Sequence, residues 1–433
     1  MKKPEILAPV GDWETLSSAI KAGADAVYFG IEQINMRSAS ARNFKISELK
    51  KVMETLHKNK VKGYLALNTL IYDHELERVE SILNEVKKSE VDAVIATDAA
   101  IIQLCNEKKI EVHISTQLSV SNYESLKFYA KFSPRIVLAR ECTLEQIKNI
   151  KKRIKKEKLN YKGREIELET FIHGSLCVAY SGRCFMSQFH NRISANRGQC
   201  LQECRRKYKI IDEEDPRREF ILEGEQVMSP KDLCTLPILD QLIKAGVDVL
   251  KIEGRAKGPE YVYTVTKAYK DTINLIEKNE FTEKNILKLL NELEKVYNRG
   301  FTTNFLLGTP TNDSWTKFYG SIASETKEKI GTVNRFYPKL KVAEIIMEQH
   351  KIKEKDTIAF TGDLTGFYKT KVKEIWVNEK PAKKAKKGDD VTIKIKERVR
   401  KGDQVFKIKE QKKEFSKFEI HKPFKQSKKK GMV

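Results

Sequence analysis

The chain contains 433 residues, 40% of them hydrophobic, and has 82 Lys and Arg against 60 Asp and Glu. A chain of this length predicts two or three domains with packed cores. No segment approaches the ~20 apolar residues needed to span a bilayer, and the N-terminal residues lack the apolar stretch of a secretion signal. We therefore expect a cytoplasmic protein with reduced thiols and no membrane association.

The net charge of +22 is concentrated near the C-terminus, where residues 331–433 include 29 basic and 14 acidic side chains. One interpretation is a lysine-rich surface that is merely solvated. The other is a basic appendage that attracts a polyanion, most often nucleic acid. Because local charge asymmetry is more informative than total charge, the pattern favours contact with RNA or DNA.

Short apolar runs alternate with longer amphipathic segments over the first 255 residues, which is typical of repeated βα units. After the first strand, Asp12 is placed to cap the start of a helix and Gly23 to end it. Eight parallel strands with helical crossovers predict an α/β fold, a (β/α)8 TIM-like barrel over residues 1–258, although doubly wound sheets use similar units. The strands are predicted at residues 5–9, 26–30, 63–68, 93–97, 111–116, 135–139, 167–172 and 249–253.

The connection between the seventh and eighth strands is far longer than the ~2–6 residues usual for such loops, and it predicts an insertion at about residues 174–230 over the barrel mouth. Residues 259–328 predict helices that close the barrel. From 329 to 410, short alternating strands predict a small C-terminal antiparallel β-barrel domain. Residues 411–433 are rich in lysine without periodicity and are predicted to form a disordered basic tail.

Four of the seven cysteines fall within the predicted insertion with the spacing C-x6-C-x15-C-x3-C, and they are Cys177, Cys184, Cys200 and Cys204. In a reduced compartment such crowding favours a metal or cluster site over disulfides. The spacing lacks the C-x2-C pairs of most zinc sites and favours an iron–sulfur cluster, while zinc, a redox thiol pair and unrelated buried cysteines remain open. Cys234 competes as a ligand, but Ser229 and Pro230 predict that it lies buried on a helix.

Polar side chains follow several of the predicted strands, and in a (β/α)8 barrel the carboxyl ends of the strands carry the chemistry. A ring of such residues around one mouth predicts a polar substrate pocket, although each one alone is more simply a loop cap. The substrate-binding candidates are Arg37, Asn68, Gln117, Arg140, Glu141, His173, Glu253 and Arg255. No side chain is singled out as catalytic.

The familiar hydrolase and nucleotide motifs are not found in this sequence. It has no HExxH helix of a metalloprotease, no phosphate-binding Walker loop and no dinucleotide fingerprint. No serine, histidine and acid can be assembled into a triad from their spacing. The sequence motifs therefore predict neither proteolysis nor nucleotide-driven chemistry.

One stretch, from the seventh predicted strand into the insertion, resembles the signature of the peptidase U32 family, E-x-F-x-x-G-S-L-C-x6-C-x-x-S. The matching residues are Glu169, Phe171, Gly174, Ser175, Leu176, Cys177, Cys184 and Ser187. The segments LAPVGDWETLSSAIKAGADAVYFG, NRGQCLQECRRKY, SPKDLC and KIEGR also resemble this family. The likeness covers the barrel and the insertion, and the C-terminal β-domain resembles that of the family.

The resemblance implies more than the collagenase-like proteolysis for which the family was named. Several members are oxygen-independent hydroxylation proteins with a 4Fe-4S cluster, whose ligands map onto Cys177, Cys184, Cys200 and Cys204. Members with a basic C-terminal β-domain resemble the tRNA branch, which forms 5-hydroxyuridine at the wobble position and depends on prephenate. Other branches act on ribosomal RNA or ubiquinone precursors.

We therefore expect a tRNA-hydroxylating enzyme, with prephenate as a hydroxyl donor or another requirement. Its carboxylates could pair with Arg37, Arg140 or Arg255, because a guanidinium fork matches a carboxylate. Two alternatives stay open. The chain could be a U32 peptidase, or it could be a non-enzymatic RNA-binding partner of a catalytic paralogue from the same family.

Overall fold

The computed structural model describes residues 3–208, 210–215, 217, 219–220 and 228–411. The predicted disordered tail lies outside the described residues except for its first position, Gln411. Within the described part of the chain, no helix combines the length and apolar character needed to cross a bilayer.

Eight parallel strands form a closed barrel, which confirms the predicted (β/α)8 fold. The eighth strand pairs with the first, where Glu5 lies opposite Val249, and also with the seventh, where Val249 lies opposite Glu169. The strands are β1 (Glu5–Pro9), β2 (Ala26–Phe29), β3 (Lys62–Leu67), β4 (Ala93–Ala96), β5 (Val112–Ile114), β6 (Arg135–Val137), β7 (Glu167–Gly174) and β8 (Val249–Ile252).

Helices surround the barrel and bury an apolar face against it, apart from the short helix of the insertion at residues 186–191. The capping predicted for the first helix is confirmed, since the Asp12 carboxylate accepts from Thr15 N and Gly23 ends the helix with φ 85°. The helices are α1 (Trp13–Ala22), α2 (Leu49–Lys58), α3 (Leu76–Lys88), α4 (Ala99–Glu107), α5 (Tyr123–Tyr129), α6 (Leu144–Lys156), α7 (Met186–Asn191), α8 (Leu239–Ala245), α9 (Pro259–Glu277) and α10 (Glu283–Glu294).

Single turns of 3-10 helix and short strand pairs complete the barrel domain. The turns are Ile46–Glu48, Asp73–Glu75, Thr116–Leu118, Tyr180–Gly182, Ala195–Arg197, Glu203–Arg205, Leu236–Ile238, Asn304–Leu307 and Asn312–Ser314. The short pairs are Asn160–Tyr161 with Arg164–Glu165 and Ile210–Ile211 with Glu219–Phe220.

Cys234 lies on a strand, so the helix predicted to start at Pro230 is wrong. Asp232–Cys234 pairs antiparallel with the end of β7, where Cys234 is opposite His173, and parallel with Phe301–Thr302. The end of β7 supplies a pairing edge that the capping pattern in the sequence does not reveal. Cys234 is nevertheless fully buried, as predicted.

The amino-terminal half of the barrel interior contains an ionic cluster rather than a purely apolar core. Lys251 Nζ lies 2.7 Å from Glu169 Oε1, and both side chains are almost completely buried. Arg135 pairs with Glu5 at 2.7 Å and with Glu167 at 2.8 Å. These pairs link β1, β6, β7 and β8, so the charges are compensated across the closure of the barrel.

We predict that Glu169→Gln destabilises the protein by about 3–5 kcal/mol, because it leaves the Lys251 ammonium buried without its counter-charge. Urea unfolding followed by circular dichroism measures this change. The control is Glu124→Gln, which breaks an exposed pair with Arg153 and costs about 0–1 kcal/mol. Equal midpoints for the two variants would contradict the assigned role of the buried pair.

The C-terminal domain is an antiparallel β-domain, as predicted, with its own core that includes Ile330, Ile345, Phe360 and Val405. Its sheet has the order β12-β11-β16-β9-β10-β15-β13-β14. The strands are β9 (Glu325–Tyr337), β10 (Val342–Met347), β11 (Thr357–Gly362), β12 (Gly366–Lys371), β13 (Ile375–Val377), β14 (Lys380–Ala382), β15 (Asp390–Lys394) and β16 (Gln404–Glu410), and Lys351–Lys353 pairs with Lys384–Lys386.

The C-terminal domain packs on helix α1 through the start of β12. At Gly366 a side chain would meet the backbone of Ser17 and Ser18, with the Cβ only 2.8 Å from Ser18 N. Lys21 Nζ donates to the carbonyl of Phe367 at 3.0 Å. The close backbone contact fixes the β-domain on the outside of the barrel.

Candidate functional site

A cavity of about 200 Å³ lies at the carboxyl end of the barrel strands. Strand ends form its floor, and the insertion after β7 forms much of its wall. Among its lining residues are Cys177, Cys184, Cys200 and Cys204 together with Arg37, Asn68, Gln117, Arg140, Glu253 and Arg255. The structure thus brings all four clustered cysteines and six of the eight proposed substrate-binding residues to one site.

Two neutral amides form one side of the cavity. Asn68 directly follows β3, and Gln117 lies in the turn after β5. Asn68 Nδ2 donates to Gln117 Oε1 at 2.9 Å, and Asn68 Oδ1 accepts from the backbone N–H of Met36 at 3.3 Å. The pair presents both donor and acceptor groups, which suits the edge of a polar ring.

Glu253 and its cationic neighbours occupy the end of β8. Arg37 Nη2 lies 2.7 Å from Glu253 Oε1. Burial alone would raise the pKa of Glu253, but the charges of Arg37 and Arg140 lower it to about 2. Glu253 is therefore ionised at neutral pH and fixes the Arg37 side chain.

Arg255 is a buried cation next to this pair. Its Nη2 hydrogen bonds to the side-chain oxygens of Asn35 and Asn43, both neutral. Burial lowers the pKa of Arg255 to about 10, and its Nε is buried without a hydrogen-bond partner among the described residues. A buried donor without a partner is unfavourable, so this group is able to bind an acceptor.

Arg140 connects the barrel to the start of the insertion. Its guanidinium carbon lies 4.0 Å from the ring centre of Phe171, and its Nη1 donates to the carbonyl of Ser175 at 3.0 Å. Stacking of this kind holds the planar group in one orientation. No carboxylate of the described residues forms an ion pair with it, so its charge is available to an anion in the cavity.

Glu141 and His173, the other two predicted substrate contacts, are not among the residues that line the cavity. Glu141 accepts from the backbone N–H of Ser181 at 3.0 Å and from its hydroxyl at 3.1 Å, and so anchors the insertion. His173 is 1% exposed, packs between aromatic rings, and lies 3.3 Å from the Tyr269 hydroxyl. Burial lowers the pKa of His173 to about 3, so it is a neutral core residue.

The four clustered cysteine side chains are close enough to influence one another. Desolvation by surrounding atoms raises the pKa of Cys177, and that of Cys204 to about 11, with neighbouring cysteines contributing in the same direction. A bound cation would reverse this effect and favour the thiolates. Across the described residues, no three His, Cys, Asp or Glu side chains are arranged to hold a single metal ion.

Four thiols that line one cavity could bind either a zinc ion or an iron–sulfur cluster. A zinc ion needs its ligands around one centre, whereas in a cluster of four irons each thiolate binds a different iron atom. The four thiols match the number of cysteine ligands that such a cluster takes. Cys105 and Cys142 are buried in the barrel core, and burial raises the pKa of each to about 12.

Two arginines hold the insertion over the mouth. Arg205 donates to the carbonyls of Leu176 and Pro230 at 2.5 Å and to the Ser229 hydroxyl at 2.9 Å, and so joins the start of the insertion to its end. Arg197 forms a two-pronged pair with Glu75, at 2.5 and 2.7 Å. The cysteine wall is thus tied to the barrel by charge-assisted hydrogen bonds.

Comparisons with known proteins show the family to which this chain belongs. The model of peptidase family U32 matches residues 11–316. The chain belongs to this family. A collagenase of Porphyromonas gingivalis is 42% identical over 93% of this chain and 97% of its own length. The tRNA hydroxylation protein P1 of Bacillus subtilis is 33% identical over 87% of each chain.

Among solved structures, the U32 peptidase Mk0906 is 12% identical, with a TM-score of 0.38 over 59% of this chain and 94% of its own. The collagenase and the tRNA hydroxylation protein carry two different activities in their names. Which of the two applies here depends on the chemistry of the cavity.

The sequence did not single out Lys257, which also lines the cavity of this U32 chain. Its Nζ lies 3.0 Å from the ring centre of Tyr297. Burial, followed by the neighbouring charges of Arg299 and Arg37, lowers the pKa of Lys257 to about 7. Its position two residues after Arg255, beyond the end of β8, is the one sequence signal that could have identified it.

We predict that Lys257 makes anion binding in the cavity depend on pH. An amine with a pKa of about 7 is mostly protonated at pH 6 and mostly neutral at pH 8, so affinity for malonate, a simple dicarboxylate probe, should fall about tenfold between these values. Isothermal titration calorimetry measures the change. In Lys257→Met the affinity should be weak and independent of pH, whereas Lys267→Met, on the exposed face of α9, should behave as wild type. If the malonate affinity of Lys257→Met fell with pH as steeply as that of wild type, the role of this amine would be contradicted.

Proposed function

We propose that this U32 protein is an oxygen-independent tRNA hydroxylase that converts a wobble uridine to 5-hydroxyuridine. The proposal includes a 4Fe-4S cluster on Cys177, Cys184, Cys200 and Cys204 and prephenate as the hydroxyl donor. The observation that carries it is that four thiols and a polar, cationic barrel mouth line one cavity. The relative named tRNA hydroxylation protein P1 supports the same activity.

The four cysteines would hold the cluster in the wall of the cavity, where it would supply electron-transfer chemistry next to the substrate. Arg140 and Arg205 lie beside the thiols. Burial raises the pKa of Cys177 and of Cys204, and the charges of Arg140 and Arg205 respectively act against this rise. These guanidinium groups favour thiolates and would partly balance a negatively charged group.

The remaining groups of the mouth suit a uracil ring and a carboxylate donor. The Asn68 and Gln117 amides offer donors and acceptors to the polar edge of the ring. Arg140 and Arg255 have no carboxylate partner among the described residues, and a guanidinium pairs with a carboxylate through two parallel hydrogen bonds. A cavity of about 200 Å³ admits one extruded base more readily than a folded stem, and a base in a loop needs little unstacking to enter.

The β-domain offers a surface for the RNA backbone. Lys380, Lys383, Lys384, Lys386 and Lys387 are all exposed, and none of them has an ion-pair partner in the described part of the chain. Unpaired lysines of this density attract phosphates without reading sequence. Such a surface would position a tRNA while the cavity selects the base.

The peptidase alternative is supported by the collagenase relative at 42% identity. The lining of the cavity favours it less, because among the described residues it contains no histidine and only two carboxylates, Glu203 and Glu253. Glu253 is bound by Arg37, and Glu203 by Asn191 and Arg206. A serine or cysteine peptidase needs a base that can take the nucleophile's proton. Among the lining side chains, Lys257, whose pKa burial lowers to about 7, is the candidate for that role.

We expect Cys177→Ala and Cys200→Ala to lose iron, sulfide and the broad visible absorption of an iron–sulfur protein after anaerobic purification. Each should also fail to restore 5-hydroxyuridine, measured by mass spectrometry of tRNA nucleosides, in cells that lack the gene. Cys234→Ala is the matched control, because Cys234 is buried on a strand outside the cavity and should retain both properties.

The same experiment separates the alternatives. A colourless wild-type protein would contradict the cluster, and peptide cleavage that survives purification and is lost in Cys177→Ala would favour the peptidase. Normal 5-hydroxyuridine in the Cys177→Ala cells, with RNA binding retained, would favour a non-enzymatic partner of a catalytic paralogue.

We predict that replacing the lysines at 383, 384, 386 and 387 by serine weakens tRNA binding and flattens its salt dependence. Each lost phosphate contact should reduce the slope of log K against log salt by about 0.7 on single strands and about 0.9 on duplex. Fluorescence anisotropy between low and physiological salt measures this slope. The control replaces four exposed lysines of α6, at 148, 152, 155 and 156, and an equal loss there would indicate only a general charge effect.

A further inference from the structure

Three aromatic side chains of the insertion point into solvent. Phe185 is 57% exposed, Phe189 is 81% exposed, and Tyr180 in the preceding turn is 53% exposed. The rings of Phe185 and Phe189 are 6.0 Å apart and tilted by 43°. We call these three residues the aromatic rim. Their exposure gives no packing benefit to the fold, and clustered exposed apolar groups mark interaction sites.

The aromatic rim lies on the same segment as several residues that line the cavity. Helix α7 begins directly after Phe185, and its residues Met186 and Ser187 line the cavity, as do Ser181 and Cys184 beside it. The same short segment therefore lines the cavity with some side chains and exposes aromatic rings to solvent with others. A molecule that places one group in the cavity would bring its neighbouring groups onto the rim.

The charge around the rim identifies the kind of partner. Residues 174–208 contain six Arg or Lys and a single acid, Glu203. Arg183 and Arg192 are exposed and form no ion pair with the described residues, and Arg183 donates only to the Ser119 hydroxyl at 2.6 Å. Aromatic rings beside free guanidinium groups are the combination that binds single-stranded nucleic acid, because bases stack on the rings and phosphates pair with the cations.

We propose that the aromatic rim stacks the unpaired nucleotides that flank the target base of an RNA loop. This inference rests on the proposed RNA substrate and adds how the loop is opened and held. Phe185 and Phe189 each accept the face of a base, and Arg183 and Arg192 bind the phosphates between them. The β-domain lysines would then contact the helical part of the RNA, while the rim contacts its loop.

The test is binding of an anticodon stem-loop that carries 2-aminopurine next to the target uridine. Binding of the wild-type protein should change the fluorescence of 2-aminopurine, because stacking on an aromatic ring alters it. The double variant Phe185→Ala, Phe189→Ala should bind the stem-loop at least about tenfold more weakly and should not change the fluorescence. Replacement of both by Trp should retain binding, and replacement by Leu should not. This pattern distinguishes stacking from simple apolar contact.

Matched controls separate the rim from the fold and from the proposed function. Phe128→Ala removes another exposed phenylalanine, on α5, and should bind normally. The double alanine variant should keep the circular dichroism spectrum and iron content of wild type. If that variant bound the stem-loop with the affinity and the 2-aminopurine fluorescence change of wild type, the proposed stacking role of the rim would be overturned, even if hydroxylation is established.

Two further results would also overturn it. If the wild-type protein bound no stem-loop, both the proposed RNA substrate and the proposed role of the rim would be contradicted. Loss of self-association in the double variant, seen by sedimentation with RNA binding unchanged, would assign the rim to a second copy of the chain.

Discussion

The geometry of the site depends on the close contact between the end of β7 and the end of β8. Gly174 has φ 105°, and a Cβ there would lie 2.4 Å from the carbonyl oxygen of Glu253. The backbone N–H of Glu253 also donates to the carbonyl of His173 at 2.8 Å. Only glycine permits this approach without strain. The insertion therefore leaves the barrel wall at the level of Glu253, which places Cys177 three residues later over the mouth.

The second constraint is electrostatic, because the cavity has more cations than carboxylates. Arg37, Lys251 and Arg299 are matched by Glu253, Glu169 and Asp232. Arg140, Arg205, Arg255 and Lys257 have no such partner among the described residues. Glu253 and Asp232 act on these four cations only through longer-range electrostatics. Incompletely compensated charges away from water are costly, so the cavity favours negative charge. Thiolates, a cluster or a carboxylate ligand each supply it, and a neutral peptide does not.

How far the sequence could predict the site differs from residue to residue for physical reasons. Asn68 and Gln117 could be placed together because parallel strands end at one edge of the barrel. His173 follows the same rule by position, yet β7 continues there and pairs with the Cys234 strand, so the histidine is buried. Lys257 was missed because its place beside Tyr297 depends on a distant segment after α10. The barrel itself was predictable because its apolar runs recur with the βα period.

The two activities named among the relatives make different demands on this cavity. Proteolysis needs an activated nucleophile with a base in reach. The carboxylates that line the cavity are already bound to Arg37, Asn191 and Arg206, which leaves Lys257 as the candidate base. Transfer of a hydroxyl group to a base needs instead a redox centre, an anion site and a way to hold an extruded ring. The four thiols, the unmatched cations and the Asn68–Gln117 amides meet these needs in one place. Because the barrel supports many chemistries, the proposed function rests on these side chains and not on the family name.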